Sequence, residues 1–318
     1  AKGLDVSAFV SYRTIDATIK NDSISTIQTS GLHRTELEIK KQGAAKAFLA
    51  GGNLHYSFKG FHVGATGIFY SYSLPLYPDK SQLYKRFAPE GKSFWNMSVD
   101  YGYVSHRLTM QGETATGDCG MVATVNSMSY LLSEKWSLLA LYRFYPYRYY
   151  AMYSNSFKAG SDVQDESGGY VGMRWTPSAK WMVEAYGDVA YFAWPKYHTM
   201  ESTYAMDYLV SAVCQLSSFI SMGARYQYKW KNEATTQRAR LYLRMNRSAW
   251  SSKTQVDATW LSGSRGYMAS EAFAYRYRWL RLQASMGYFH TSGYDSRVYA
   301  LEPGMLYTMS FGSYFGEG

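Results

Sequence analysis

Residues Arg238 to Met245 read RARLYLRM. Arg238, Arg240, Tyr242 and Arg244 alternate there with Ala239, Leu241, Leu243 and Met245. Successive side chains of a strand point to opposite faces, so a strand puts three arginines on one side and four apolar groups on the other. The stretch therefore predicts a β-strand with one dry face and one strongly charged face. The preceding segment, Ile220 to Trp230 (ISMGARYQYKW), repeats the scheme, with Arg225, Gln227 and Lys229 set against Met222, Ala224, Tyr226, Tyr228 and Trp230. WMVEAYGDV (181–189) sets Glu184, Tyr186 and Asp188 against Trp181, Val183 and Ala185, and WNMSVDYGY (95–103) sets Asn96, Ser98 and Asp100 against Trp95, Met97, Val99 and Tyr101.

About 16 such segments of roughly 8 to 14 residues can be marked along the chain. Short connections fall at Lys59-Gly60, Val104 to His106, Ser133 to Lys135, Thr176 to Lys180, Ser217-Ser218, Asn246 to Ser252 and Tyr277 to Trp279. Between them stand mostly longer ones, Thr14 to Ala44, Pro75 to Ser93, Pro146 to Glu166, Phe192 to Thr203 and Thr291 to Ser296, although Gly117 to Gly120 and Asn232 to Ala234 are also brief. The reading is an all-β protein, a transmembrane antiparallel β-barrel of about 16 strands with short turns on one side and long loops on the other. A soluble sandwich would also alternate, but its polar face need not carry so much charge. No four-strand repeat suggests a propeller.

Composition agrees with this. In 318 residues there are 32 Tyr, 15 Phe and 9 Trp, yet mean hydropathy is −0.33 and 18% of residues are charged. That is too aromatic for disorder and too polar for a helical membrane bundle, and no run reaches the ~18 apolar residues of a membrane helix. Residues 1–318 read as one barrel. Neither a charged-then-apolar leader at the start nor a closing strand at Ser310 to Gly318 is apparent, so the barrel is expected to belong to a longer chain. Cys119 and Cys214 are too few for a disulfide framework or a zinc site and read as wall thiols. No cofactor or metal is expected.

Alternation places a set of charges toward the interior of such a barrel: Arg143, Arg174, Arg225, Lys229, Arg238, Arg240 and Arg244, with Asp100, Glu184, Asp188 and Asp257 as acidic counterparts. A formal charge of +9 matches this basic excess, which could draw anions into a pore or simply pair across it. Trp95, Trp136, Trp175, Trp181, Trp230, Trp260 and Trp279 lie near strand ends, as lipid–water girdles require. The stretch Leu141 to Tyr153, LYRFYPYRYYAMY, divides at Pro146, which cannot donate to a ladder. Tyr142 and Phe144 continue an outward face and Arg143 and Tyr145 turn inward. Tyr147, Tyr149, Tyr150 and Tyr153 fall in the loop beyond and ask for a ligand or a packing partner.

Other chemistry is thin. His33, His55, His62, His106, His198 and His290 are scattered over separate segments, so a rim hydrolase using one of them with Asp165 or Glu166 is a minor alternative. Gly51-Gly52 lies inside a strand-like segment and reads as a bulge or a close approach, not a phosphate loop. In GLHRTELEIKKQGA (31–44), Thr35 stands three residues before Glu38 in capping-box order, which suits a short helix or a solvated turn.

Five blocks together, residues 31–72, LYRFYPYRYYAMYSNSF (141–157), DESGGYVGMRW (165–175), YGDVAYFAWPKY (186–197) and YDSRVYALEPGMLY (294–307), resemble the barrel portion of Bacteroidetes helix-hairpin-helix (ComEA-like) domain proteins. Their order and spacing carry the likeness, which spans nearly the whole chain. The resemblance implies an outer-membrane location, with lipid and envelope proteins as partners. In that family helix-hairpin-helix repeats precede the barrel and bind nucleic acid through glycine-containing hairpins. No such segment is present here, so nucleic acid is implied only through a missing N-terminal region. Function is expected to be non-enzymatic, as a channel or as the membrane anchor of an envelope complex, with DNA uptake or tethering as the alternative.

Overall fold

The computed structural model describes residues 3–300 and 312–316. The end of the family-like block 294–307 and the chain terminus from Glu317 lie outside these residues. The strands run β1 (Leu4–Ile15), β2 (Ala17–Lys20), β3 (Ser23–Ile27), then helix α1 (Glu36–Ile39), β4 (Ala45–Phe58), β5 (Phe61–Leu76), β6 (Gly91–Val104), β7 (Leu108–Gly117), β8 (Ala123–Ser133) and β9 (Trp136–Tyr145). They continue as β10 (Glu166–Ser178), β11 (Trp181–Phe192), β12 (Thr203–Gln215), β13 (Ile220–Lys231), β14 (Ala234–Asn246), β15 (Trp250–Leu261), β16 (Ser264–Tyr277), β17 (Leu280–Thr291), β18 (Val298–Ala300) and β19 (Gly312–Tyr314). The first seventeen form one sheet, and β18 and β19 pair separately. Fifteen of the seventeen have 10 or more residues, against the 16 or so expected; β2 and β3 are a short hairpin inside the connection from β1 to β4. The all-β antiparallel class is the one the alternation predicts.

The chain divides into two compact units. In the first, β1 pairs with β4 and the order β4–β5–β6–β7–β8 continues by antiparallel hairpins. One face carries Ala45, Ala47, Leu49, Tyr70, Tyr72 and Phe94, which pack with Ala17, Ile24 and Leu76 into a buried cluster. Gly51 faces the same way between Phe9 of β1 and Ile68 of β5. A Cβ at Gly51 would lie 2.7 Å from the Phe9 ring. The register through Gly51 and Gly52 is continuous, so the glycines make a seat for a neighbouring ring rather than a bulge.

In the second unit β12 to β17 form an uninterrupted antiparallel meander. Strand β15 shows its polarity most plainly. Gln255, Asp257 and Thr259 are 6%, 7% and 6% exposed, while Val256 and Trp260 between and beside them are 47% and 43% exposed. A soluble sheet buries its apolar side; this strand buries its polar side.

Connections are uniformly short at one end of the strands and mixed at the other. After β4, β8, β10 and β16 two residues suffice, and after β6, β12 and β14 three or four. On the opposite end the chain spends 14 residues between β5 and β6, 20 between β9 and β10 and 10 between β11 and β12, but five between β7 and β8 and two each after β13 and β15. Lys59-Gly60 has φ of +46° and +86° at its two positions, the left-handed pair that a two-residue hairpin needs to match strand twist. Segment 31–44 does form a helix, one turn long. The Glu38 amide donates to Thr35 Oγ1 (3.2 Å) and the Thr35 amide donates back to Glu38 Oε2 (3.2 Å), completing the capping box.

Candidate functional site

Registers fix which charges share a face in the second unit. Asp207 lies opposite Lys229, Gln227 opposite Arg238, Arg225 opposite Arg240, Arg240 opposite Asp257, and Arg244 opposite Lys253. Arg225, Lys229, Arg238, Arg240, Arg244 and Lys253 thus form a basic wall, and the carboxylates on that face of β12 to β15 are Asp207 and Asp257. Arg240 Nε donates to Asp257 Oδ1 (2.5 Å), whose second oxygen accepts from Gln255 Nε2 (2.5 Å). Lys229 Nζ sits 3.7 Å from Asp207 Oδ2, which leaves that pair loose. Directly opposed like charges, Arg225 with Arg240 and Arg244 with Lys253, oppose pairing unless water or an anion screens them. A cavity of about 140 Å3 opens on this wall, lined by Arg225, Arg238, Arg240 and Asp257 and bounded by Val298 and Tyr299 of the β18 segment.

Arg174 and Glu184 face each other on β10 and β11, Nε to Oε1 at 2.8 Å, and are paired with each other rather than with the wall. Asp188, on β11, is 8% exposed. In the first unit Asp100 leans over Gly64 and lies 3.5 Å from His55 Nδ1; His55 stacks on His62 at 5.3 Å. Among the described residues no group of three or more His, Cys, Asp or Glu is placed to hold a metal.

Arg143 differs from the wall arginines. Its side chain is fully buried and its Nε donates to Glu166 Oε1. The two Glu166 oxygens also accept from the amides of Ala159 and Gly160 (both 2.8 Å). Burying a pair of charges is costly unless the remaining lone pairs are satisfied, and here they are. Glu166 therefore ties loop 146–165 back to β9. Asp165 beside it accepts from the Trp194 amide (2.9 Å) and lies 3.1 Å from Lys196 Nζ. Burial holds the Asp165 carboxyl above its usual pKa, with Lys196 and the Trp194 amide pulling the other way. Both carboxylates that sequence offered to a rim hydrolase are thus committed to loop architecture.

The tyrosines of this loop have different partners. Tyr149 is 3% exposed and packs with Ala123, Tyr145 and Val163; burial pushes its phenol up to about 12. Tyr147 stacks on Trp194 (6.0 Å) and tilts against Phe87 (4.9 Å). Tyr150 meets the Phe94 ring edge-on at 6.0 Å, and Tyr153 meets Tyr70 at 5.1 Å. Asn96 Nδ2 donates to the Tyr150 carbonyl (3.0 Å), and the Tyr145 hydroxyl donates to the Phe157 carbonyl (2.8 Å). Loop 146–165 is consequently seated on the face that carries Tyr70, Phe94 and Asn96.

Sequence reading passed over Lys253, Asp207, Gln255 and Lys196. The first two sit on strands at positions that the same alternation would have marked. Lys196 pairs with a carboxylate 31 positions away, for which sequence holds no signal.

No protein-family model and no curated protein matches the chain. Among solved structures it is similar to the FrpB iron transporter from Neisseria meningitidis, F3-3 variant, at 9% identity and a TM-score of 0.45, over 93% of this chain and 60% of that one. It is similar also to OmpTdeltaL8, a loop-deleted outer-membrane protein of Vibrio cholerae (9%, TM-score 0.41, 92% and 95%), and to OccK11 of Pseudomonas aeruginosa (9%, TM-score 0.37, 77% and 84%). The chain therefore spans less than two thirds of the first of these.

Proposed function

We propose that the chain is a non-enzymatic β-barrel of the bacterial outer membrane that conducts anionic solutes along its basic wall. The observation that carries this reading is the inverted polarity of single strands, with Asp257 buried and Val256 exposed on β15. An exposed apolar row recurs on β6, where Trp95, Met97 and Val99 are 40%, 56% and 47% exposed. Exposed apolar rows on successive strands need a non-aqueous neighbour, and lipid is the neighbour that suits all of them. Strands of 10 to 16 residues meet or exceed the ~9–11 that a tilted strand needs to cross. Trp136, Trp181 and Trp250 open their strands at the short-turn end, and Trp230 and Trp260 stand next to last at the other, positions that suit two girdles.

Reconstitution into planar bilayers under a salt gradient tests the proposal. Anion-selective conductance is expected, and combined Arg225→Gln, Arg238→Gln and Arg244→Gln should move the anion-to-cation permeability ratio toward one. Conductance with an unchanged ratio in that variant would remove the wall from the mechanism. Loop 146–165 on the inner face of the first unit, and Ser296 against Gly266 in the second, favour a second reading as a closed membrane anchor. Absence of any conductance would select it. A nucleic acid drawn to the wall would bind with steep salt dependence, which filter binding in dilute buffer would detect.

A further inference from the structure

We propose that the long-loop end of the first unit is a binding site for a short anionic saccharide. A cavity of about 720 Å3 lies there between the end of β1, the β2–β3 hairpin, loop 77–90 and loop 146–165. That volume is within the ~300–1,000 Å3 of small-molecule sites and far beyond the needs of an inorganic anion. Three cations reach it from three different segments: Arg13, Lys85 and Lys158. None forms an ion pair among the described residues; Lys85 lies over the Tyr84 ring at 5.4 Å.

The two carboxylates on the cavity lining are already engaged. Asp16 accepts from the Gly43 amide (2.9 Å) and faces His33 Nε2 (2.8 Å), and Asp162 accepts from the Ser161 hydroxyl (3.0 Å). Neither carboxylate pairs with Arg13, Lys85 or Lys158, and the three cations outnumber the two carboxylates on the lining. Tyr150 and Tyr153 supply ring surface, and the buried Tyr72 hydroxyl lies 3.4 Å from the Tyr153 hydroxyl behind them. Aromatic faces with hydroxyl rims suit a sugar ring, which presents C–H groups on its face and hydroxyls at its edge. Gln28, Thr29 and the side-chain oxygen of Gln164 add neutral hydrogen-bonding groups of the kind a hydroxylated ligand uses.

The walls are held in place without a ligand. Gln164 Nε2 donates to the carbonyls of Phe87 (3.1 Å) and Tyr147 (2.8 Å), Trp194 Nε1 donates to the Leu83 carbonyl (2.9 Å), and the Tyr77 amide donates to the Ile24 carbonyl (2.8 Å). A site preorganised in this way loses little entropy on binding. The proposal rests on the barrel reading only for the side from which solute arrives, since binding itself can be measured in detergent.

Isothermal titration of the full chain in micelles with trigalacturonate, maltotriose and inorganic phosphate tests it. Saturable binding of trigalacturonate is expected, at least about tenfold tighter than maltotriose or phosphate, with a further loss of about tenfold or more in the Arg13→Gln/Lys158→Gln variant, because charge-assisted contacts dominate such sites. Lys158→Gln alone, on a loop surface, should give an intermediate loss and guards against misfolding of the double variant. Arg244→Gln should leave binding unchanged while altering ion selectivity, so failure here and failure of the conducting wall are separable. Equal binding of maltotriose, equal binding of phosphate, or unchanged affinity in the double variant would each overturn the proposal.

Discussion

Glu166 is the residue on which loop 146–165 depends, because one carboxylate receives the Arg143 guanidinium and two loop amides. Removing one member of a buried pair leaves an uncompensated charge, at about 3–5 kcal/mol, whereas replacing both by apolar groups is often neutral. Glu166→Gln should therefore lower stability by that order in urea unfolding from detergent, and Arg143→Met/Glu166→Met should recover most of it. A double variant as unstable as the single one would contradict this account. At Gly51 the argument is steric. Gly51→Val puts a branched side chain against Phe9 and the Gly67 carbonyl, 2.7 and 2.9 Å from even a Cβ. Overpacking of this kind costs about 1–3 kcal/mol. The expected rescue by Phe9→Ala is readable in the same unfolding curves. Gly51-Gly52 already suggested a bulge or a close approach without naming its partner, whereas alternation turned Arg143 inward but its partner lies 23 residues on, across a loop whose path no local pattern fixes.

Among elements, the connection from β1 to β4 shows how far local chemistry reaches. Thr35 and Glu38 announced a capping box, and the box is formed; without it the alternative was a charged turn. Ala17 and Ile24 pack this connecting lobe into the buried cluster, and Asp16 ties its two ends together. The Gly43 amide and then His33 hold its carboxyl below the usual value of 3.8. A carboxylate with a lowered folded pKa stabilises the lobe above its unfolded pKa, and that contribution disappears as pH falls through the folded value. Limited proteolysis between residues 17 and 43 should accelerate as pH is taken below about 4 with an acid-tolerant protease, and Asp16→Asn should show fast cleavage already at pH 6. Equal cleavage rates for the two proteins at pH 6 would show that Asp16 does not anchor the lobe.

For the molecule as a whole, the decisive contrast is between neighbours on one strand. Leu241 is 61% exposed at mid-strand, and Tyr242 beside it faces the basic wall. Arginine on a lipid face at mid-bilayer costs about 2–4 kcal/mol, and on a watered inner face far less. Leu241→Arg should destabilise protein folded in lipid vesicles by that amount, while Tyr242→Arg should not; similar effects at both positions would refute a membrane environment for β14. The sequence by itself determined the strands and their faces, because a period of two acts residue by residue and needs no knowledge of neighbours. It marked the basic wall for the same reason: Arg225, Arg238, Arg240 and Arg244 take their sides from position alone. Tertiary structure decided which of those charges are spent, since Arg143 with Glu166 and Arg240 with Asp257 meet only once strands and loops have found their places. It also decided the use of the tyrosines, burying Tyr149 and leaving Tyr150 and Tyr153 beside a cavity. Loop paths are set by contacts distant in sequence, and a one-dimensional pattern carries no record of them.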